Sequence, residues 1–148
     1  MTFAGVDAWL DDARSGLVRV SPEQAAADVD DGAVLVDIRP AWQRGAEGEI
    51  PGSVVIETNH VAWRVHPDSD ARLTIARPGR RWIVVCSEGY TSSLVAAWLV
   101  SLGLDATDLV GGFRAWREAG LPTTTGTTEV EHRVGSGEPI GRVSAATH

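Results

Sequence analysis

The sequence predicts an α/β domain in which a small, mostly parallel β-sheet is covered by helices on both faces. Two runs of mainly aliphatic residues, 33–38 and 81–86, are continuous rather than alternating, which is typical of strands buried on both faces. Segments with helical spacing of apolar residues stand between and after these runs. Strands that alternate with helices favour a parallel sheet with helical connections.

Length and composition restrict the class of protein further. A chain of 148 residues with 43% hydrophobic and 22% charged residues fits one soluble domain. No apolar run approaches the roughly 20 residues of a membrane span. The net charge of −7 argues against nucleic acid or an anionic lipid surface as partner. The first residues lack the basic and apolar regions of a signal peptide, so we expect a cytoplasmic protein.

The N-terminal third contains two helix patterns and one strand pattern. Apolar residues of 4–14 recur with helical spacing, which predicts a short helix in an N-terminal extension, residues 1–17. Ser21 followed by Pro22 is a helix start signal, with Gln24 in the position of a capping-box partner. The strand 33–38 follows a break at 30–32.

The middle of the chain continues the alternation. A helical turn around Trp42 leads into a glycine and proline loop and then into a short strand, 53–56. A helix is expected from Asn59, and a Pro-Gly turn at Pro78 precedes the strand that ends at Cys86.

The last third predicts a helix over 92–102, a short strand in 106–110 and a final helix in 113–120. In the first of these helices five residues form one apolar stripe, and Gly103 stands where a C-terminal cap is expected. They are Leu94, Val95, Trp98, Leu99 and Leu102. Trp98, Trp116 and most of the other tryptophans are expected in the core, whereas Trp63 and Tyr90 are candidates for the mouth of a pocket. The domain is expected to cover 18–123 and to be followed by a flexible C-terminal tail, 124–148, with little apolar content.

Cys86 is the one cysteine of the chain and lies between a buried strand and a helix. Ligands of open α/β sheets bind outside the carboxyl ends of the strands, so this is the expected place for a site. The loop "SEGYT" offers backbone N–H groups, and a helix start adds unpaired donors, both of which stabilise a thiolate. A buried cysteine that only fills space is the alternative for any single cysteine on a strand. The loop position, with Gly89 and several hydroxyl residues, favours a reactive, exposed one.

Several motifs together resemble the rhodanese family over most of the chain, from about Val18 to Thr123. They are "VDIR" at 36–39, "GEIPGSVVI" at 48–56, "CSEGYTSS" at 86–93 and "LVGGFRAWREAGLP" at 109–122. The resemblance implies a rhodanese-like fold and a sulfurtransferase in which Cys86 carries sulfane sulfur as a persulfide. A small sulfur donor or a persulfidated protein would load it, and a thiol or cyanide would accept the sulfur.

The resemblance also implies which residues surround the sulfur. Substrate would be bound by the loop residues Ser87, Glu88, Gly89, Tyr90, Thr91 and Ser92, with the hydroxyls of Thr91 and Ser92 either donating to substrate or capping the helix. Asp37, Arg39 and Arg64 are expected to support the loop, although a structural ion pair between Asp37 and Arg39 is an equally good interpretation.

The loop departs from the family pattern Cys-x-x-Gly-x-Arg, because Thr91 replaces the arginine and Glu88 adds a negative charge. Thiosulfate is therefore expected to be a poor donor unless Glu88 points outward or Arg44 or Arg64 reaches the mouth, and a persulfide is the expected donor. Glu49 stands where the family usually has histidine.

The same residues bear on three other interpretations: a phosphatase, a metal or cofactor site, and a binding module. A Cys-dependent phosphatase needs Cys-x5-Arg, and the residue at the arginine position is Ser92. His60, His66, His132 and His148 do not form a recognisable ligand set, so no metal or other cofactor is expected. A rhodanese-like sulfur-carrier or protein-binding module with little turnover is the rival interpretation, because the fold alone does not separate it from an enzyme.

Overall fold

A computed structural model of the chain describes residues 1–128 and 130. The helices are α1 (Val6–Ser15), α2 (Pro22–Asp30), α3 (Ala41–Glu47), α4 (Val61–Val65), α5 (Thr91–Ser101) and α6 (Gly112–Glu118). The strands are β1 (Val34–Asp37), β2 (Val54–Val55), β3 (Arg81–Val85) and β4 (Asp105–Asp108), and a 3₁₀ turn, Thr58–His60, precedes α4. The predicted alternation of strands and helices is confirmed.

The four strands form one parallel sheet in the order β2-β1-β3-β4. Asp37 at the end of β1 pairs with Val85 at the end of β3, and Val84 pairs with Asp108 at the end of β4. The carboxyl ends of the three longer strands therefore meet at one edge, where Cys86 follows β3. This strand register therefore places the candidate site at that edge of the sheet.

Side chains of β1 and β3 alternate between two separate cores. Val36 and Val84 pack with α4 and α5 on one face, whereas Leu35 and Ile83 pack with α2 and α6 on the other. Burial on both faces explains why these strands read as continuous apolar runs. The prediction of a parallel sheet covered on both faces is correct.

The cap of α2 follows the sequence signal in part. The Ser21 hydroxyl accepts a hydrogen bond from the Gln24 N–H at 3.1 Å, and Pro22 begins the helix. The Gln24 side chain donates to Asp28 instead of reaching back to Ser21. Only half of the predicted capping box is formed.

The predicted stripe of α5 is wrong in two positions. Trp98 is 47% and Leu102 is 46% exposed, whereas Ser92, Ser93 and Ala96 are buried with Val95 and Leu99. The helix packs against the sheet on one side and α1 on another, so small residues allow the close approach and the large ones point outward. A helix that is apolar on several sides does not reveal its buried face by pattern alone.

The prediction that most tryptophans lie in the core is also wrong. Trp82 and Trp116 are buried, and Trp116 Nε1 donates to the carbonyl of Pro122 at 2.8 Å. The other four are exposed: Trp9, Trp42, Trp63 and Trp98. Trp63 borders a surface cavity between α4 and α5, together with Trp98 and Leu102.

The domain keeps contact with the chain beyond residue 123. Glu49 and Thr124 form an antiparallel bridge, and Thr128 donates to the Glu49 carboxylate from its N–H and from its hydroxyl. Of the predicted tail, residues 129 and 131–148 lie outside the described residues. Within the described part of the chain, no helix is long and apolar enough to cross a membrane.

Candidate active site

Cys86 lies directly after β3 and in front of α5, as predicted, but it is buried and not exposed. Its relative exposure is 9%, and it belongs to the core cluster on the α5 side. The Gly89 N–H donates to Cys86 Sγ at 3.2 Å, and the Ser92 N–H donates to the same sulfur at 3.4 Å. One N–H group from the loop and one from the first turn of α5 converge on a single sulfur, which is an arrangement that stabilises an anion.

The carbonyls of the loop face the other way and are engaged from outside. The N–H of Phe113 donates to the Cys86 carbonyl at 2.8 Å, and the N–H of Arg114 donates to the Ser87 carbonyl at 3.1 Å. These bonds also satisfy two of the unpaired donors at the start of α6. These hydrogen bonds therefore hold the loop after β3 and the first turn of α6 in fixed positions relative to each other.

Gly112 permits this contact between α6 and the loop. Its φ is +63°, and a Cβ at this position would lie 2.5 Å from the Cys86 carbonyl oxygen and 2.6 Å from the Ser87 carbonyl carbon. Gly89 has a φ of +87°, and a Cβ there would lie 2.9 Å from the Gly111 nitrogen. Both glycines are required by left-handed backbone and by close approach.

The hydroxyls at the start of α5 bind a buried carboxylate and not the sulfur. Ser92 Oγ donates to Asp108 Oδ2 at 2.7 Å, and Ser93 Oγ donates to the same oxygen at 2.8 Å. Arg19 forms an ion pair with Asp108 at 2.8 Å. The Ser92 hydroxyl thus donates to Asp108 while its N–H reaches Cys86, and a role of this hydroxyl in binding substrate stays a prediction. Thr91 is exposed at the start of the helix.

Asp37 and Arg39 lie under the loop and are linked to it through Glu47. Arg39 binds Asp37 with two N–H groups, at 3.0 and 2.7 Å, and forms an ion pair with Glu47 at 3.0 Å. The Ser87 hydroxyl donates to Glu47 at 2.7 Å. Burial tends to raise the pKa of Glu47, but hydrogen bonds from Ser87, Arg39 and Arg114 outweigh it and leave this pKa below its usual range. The carboxylate thus stays ionised beneath the loop.

The charge of Glu88 is directed outward, where it meets a cation that the sequence did not suggest. Its side chain is 48% exposed and pairs with Arg114 at 3.2 Å. Arg114 also contacts Glu47 at 3.3 Å. The repulsion of an anionic donor by Glu88 is therefore reduced by Arg114 and by solvent.

Arg44 and Arg64, the two arginines that could offset the charge of Glu88, have partners away from the cysteine loop. Arg44 is buried and pairs with Glu49 at 2.6 Å. Arg64 is buried in α4 and donates to the carbonyl of Ala71. A role of Arg64 in supporting the loop stays a prediction.

Several residues of the site were missed by sequence reasoning: Arg14, Arg19, Glu47, Ser93, Asp108 and Arg114. Asp108 had a usable signal, since it ends a strand of a parallel sheet. The arginines had none, because they approach the loop from distant segments. Among the described residues, no group of three or more His, Cys, Asp or Glu has the arrangement of a metal site.

Comparison with known proteins identifies the family of the chain. Residues 21–119 match the family of the rhodanese-like domain. The chain belongs to the rhodanese-like family. The chain is also 39% identical over 100 residues to the thiosulfate sulfurtransferase GlpE of Pseudomonas savastanoi, an alignment of 67% of this chain and 86% of that protein. The GlpE of Pseudomonas aeruginosa is 37% identical over 115 residues, which cover 76% of this chain and 94% of that protein.

A solved structure from Rhodopseudomonas palustris is similar over more of the chain. It is described as a protein of unknown function and possible tyrosine phosphatase. The TM-score is 0.73 with 30% sequence identity, and the match covers 83% of this chain and 97% of that one. The predicted rhodanese-like fold is thus confirmed by sequence relatives and by structure.

Gly112→Ala is expected to destabilise the protein and to distort the cysteine loop. The left-handed backbone costs about 1–2 kcal/mol for a residue with a Cβ, and overpacking against the carbonyls adds about 1–3 kcal/mol. Gly79→Ala is the matched control, because Gly79 has a φ of +83° but no atom within 4 Å of the added Cβ. Denaturant unfolding and the rate of Cys86 alkylation measure both variants. Equal losses of stability, with unchanged alkylation, would contradict the close-approach argument.

The stability of the protein is expected to fall in acid partly through Glu49. Burial tends to raise the pKa of Glu49, but hydrogen bonds from Thr128 and Arg44 leave this pKa below its usual range. The ionised form therefore stabilises the fold above the usual glutamate pKa of about 4.3, and this contribution is lost as the pH falls through the lower value. Urea unfolding between pH 7 and pH 3 should show a shallower pH dependence in Glu49→Gln. Glu57→Gln, at an exposed position, should keep the wild-type slope, and identical slopes in all three proteins would refute the assignment.

Proposed function

We propose that the protein is a sulfurtransferase that carries sulfane sulfur on Cys86 as a persulfide. The observation that supports this most directly is the pair of N–H groups, from Gly89 and Ser92, that donate to the buried Cys86 sulfur. The names of the GlpE relatives agree with the same class of reaction. These donors are placed to stabilise negative charge on the sulfur during the reaction, and the proposed mechanism uses no histidine as general base.

The reaction proceeds in two displacements at sulfur. The Cys86 thiolate attacks the outer sulfur of the donor, the S–S bond of the donor breaks, and the leaving group departs with the bonding electrons. For thiosulfate this group is sulfite, and for a persulfide donor it is a thiolate. An acceptor thiolate or cyanide then attacks the outer sulfur of the Cys86 persulfide and releases the Cys86 thiolate. The proton of the resting thiol is given to solvent, and no external oxidant or reductant is needed.

Thiosulfate is a better candidate donor than the sequence alone suggests. The pairing of Glu88 with Arg114 reduces the local negative charge, and the GlpE relatives are named for this donor. A low-molecular-weight or protein-bound persulfide is the second candidate, and it was the one favoured by the loop sequence. The two donors differ in charge, so the residues at the mouth should discriminate between them.

A phosphatase is the second candidate function, because the similar Rhodopseudomonas protein is described as a possible tyrosine phosphatase. Phosphate transfer through a cysteine loop requires an arginine fork that grips two phosphate oxygens. Ser92 stands at that position, and its hydroxyl donates to Asp108. The loop therefore supports sulfur transfer better than phosphate transfer.

The Cys86→Ser variant tests the proposal. Wild-type protein incubated with thiosulfate, and separately with cysteine persulfide, should gain the mass of one sulfur atom and should pass it to cyanide as thiocyanate. Cys86→Ser should gain none, because an alkoxide is not available at neutral pH to attack the donor. Transfer retained in Cys86→Ser would refute the mechanism. If the wild-type thiol proves accessible to alkylation but takes sulfur from neither donor, the carrier or binding-module interpretation replaces this one, and an inert thiol would indicate a purely structural cysteine.

Charged residues at the mouth, which is the opening of the cysteine loop to solvent, should change the catalytic efficiency with thiosulfate as donor. Glu88→Gln and Thr91→Arg each make the mouth more positive and should raise kcat/KM for thiosulfate about two- to fivefold, since half-exposed charges are worth at most about 1 kcal/mol. Arg114→Gln should lower it by a similar factor. All three effects should shrink at high ionic strength. Glu118→Gln is the control at an exposed position of α6, and a change in this variant equal to that in Glu88→Gln would contradict a local effect.

A further inference from the structure

The carbonyl of Gly89 binds two arginines that come from the start of the chain. Arg14 Nη2 donates to it at 2.7 Å, and Arg19 Nη2 donates to it at 3.0 Å. Arg14 belongs to α1, and Arg19 lies between α1 and α2. Both precede residues 21–119, the segment that matches the rhodanese-like family. Two guanidinium groups from outside the matched segment thus bind one peptide group of the cysteine loop.

This contact determines which way the neighbouring N–H points. The peptide bonds of the described chain are not cis, so the carbonyl of Gly89 and the N–H of Tyr90 point in opposite directions. With the carbonyl held by the arginines, the Tyr90 N–H is directed away from them. The N–H groups of Gly89, one residue before Tyr90, and of Ser92, two residues after it, already donate to Cys86 Sγ. A rotation of this peptide would turn a carbonyl oxygen toward an anionic sulfur and would oppose its charge.

The two arginines are themselves fixed by a closed network. Arg14 Nε donates to the Ser93 hydroxyl at 3.0 Å, and Ser93 donates to Asp108 at 2.8 Å. Asp108 accepts from Arg19 Nε at 2.8 Å and from Arg19 Nη2 at 3.1 Å. The Arg14 guanidinium also lies 5.8 Å from the centre of the Tyr90 ring. Charge-assisted bonds in such a network hold a peptide group more firmly than neutral ones do.

We propose that Arg14 and Arg19 are positioning residues for sulfur transfer. They hold the Gly89–Tyr90 peptide so that the Tyr90 N–H becomes a third donor, placed for the outer sulfur of the Cys86 persulfide. Arg14, from the N-terminal extension, and Arg19, just after it, thereby compensate for the arginine that Thr91 replaces in the loop. The effect on transfer rests on the proposed sulfurtransferase function, whereas the effect on loop geometry does not.

Arg14 is the better residue to test, because Arg19 also neutralises the buried Asp108. Arg14→Met removes the donors but keeps most of the aliphatic stem, and Arg14→Lys restores a cation with one point of contact. Arg77→Met is the control, since Arg77 is exposed in the turn before β3, at the opposite end of that strand from the loop. The unfolding midpoint should change little in all three, because no residue of α1 is buried and Arg77 is exposed.

Two measurements on the full chain decide the proposal. Amide hydrogen exchange of the peptide that covers 86–93 should be faster in Arg14→Met than in wild type. In steady-state transfer, kcat should fall about tenfold, as expected for one charge-assisted hydrogen bond, while KM for the donor stays nearly constant. Arg14→Lys should recover part of the loss, and Arg77→Met should match wild type in both measurements.

The outcomes separate this proposal from the proposed function. If the wild-type protein transfers sulfur and Arg14→Met has the same kcat, the positioning role is wrong, whatever the hydrogen-exchange result. The positioning role is also wrong if kcat falls equally in Arg14→Met and in the control Arg77→Met. If wild type transfers no sulfur, the proposed function fails, and the exchange measurement alone decides the loop geometry: faster exchange in Arg14→Met supports the role of Arg14, and unchanged exchange overturns it.

Discussion

The active-site loop depends on one constraint: the carbonyls around Cys86 must face outward so that the N–H groups can face the sulfur. The carbonyls of Cys86 and Ser87 accept from the first turn of α6, and the carbonyl of Gly89 accepts from two arginines. With these acceptors occupied, the N–H groups of Gly89 and Ser92 are free to reach Sγ. Each outward bond satisfies a buried acceptor, and each inward bond stabilises negative charge. The chemistry of the site therefore follows from how the loop is held on its outer side.

The surrounding fold provides the groups that hold the loop. The parallel register brings Asp108 next to the start of α5, where it binds two serine hydroxyls and Arg19. Glu47 occupies the opposite side and joins Ser87 to the buried Arg39. Breaking one side of such a pair leaves an uncompensated buried charge, which is strongly destabilising. We therefore view these ion pairs as supports of loop geometry more than as independent sources of stability.

Structural features that depend on local sequence patterns could be predicted, whereas few contacts between distant segments of the chain could be. Cys86 could be placed at a strand end because 81–86 is a continuous apolar run followed by a helix pattern, and Gly89 because a loop this short needs a left-handed residue. Arg14, Arg19 and Arg114 could not be assigned, since each contacts the loop across many residues of chain. Trp98 was misplaced because α5 is apolar on several sides. The sequence also did not reveal that the Glu88 side chain points outward, because this direction depends on an ion pair with α6.

A high-resolution structure of the wild-type protein after loading with sulfur tests the central claim most directly. The account predicts additional density for one sulfur atom on Cys86 Sγ, inside the loop. The N–H groups of Gly89, Tyr90 and Ser92 should lie within hydrogen-bond distance of the two sulfurs, as those of Gly89 and Ser92 already lie 3.2 and 3.4 Å from Sγ. The carbonyl of Gly89 should remain on the two arginines. A loaded protein whose outer sulfur points out of the loop, or whose Gly89 carbonyl has turned toward it, would contradict the account.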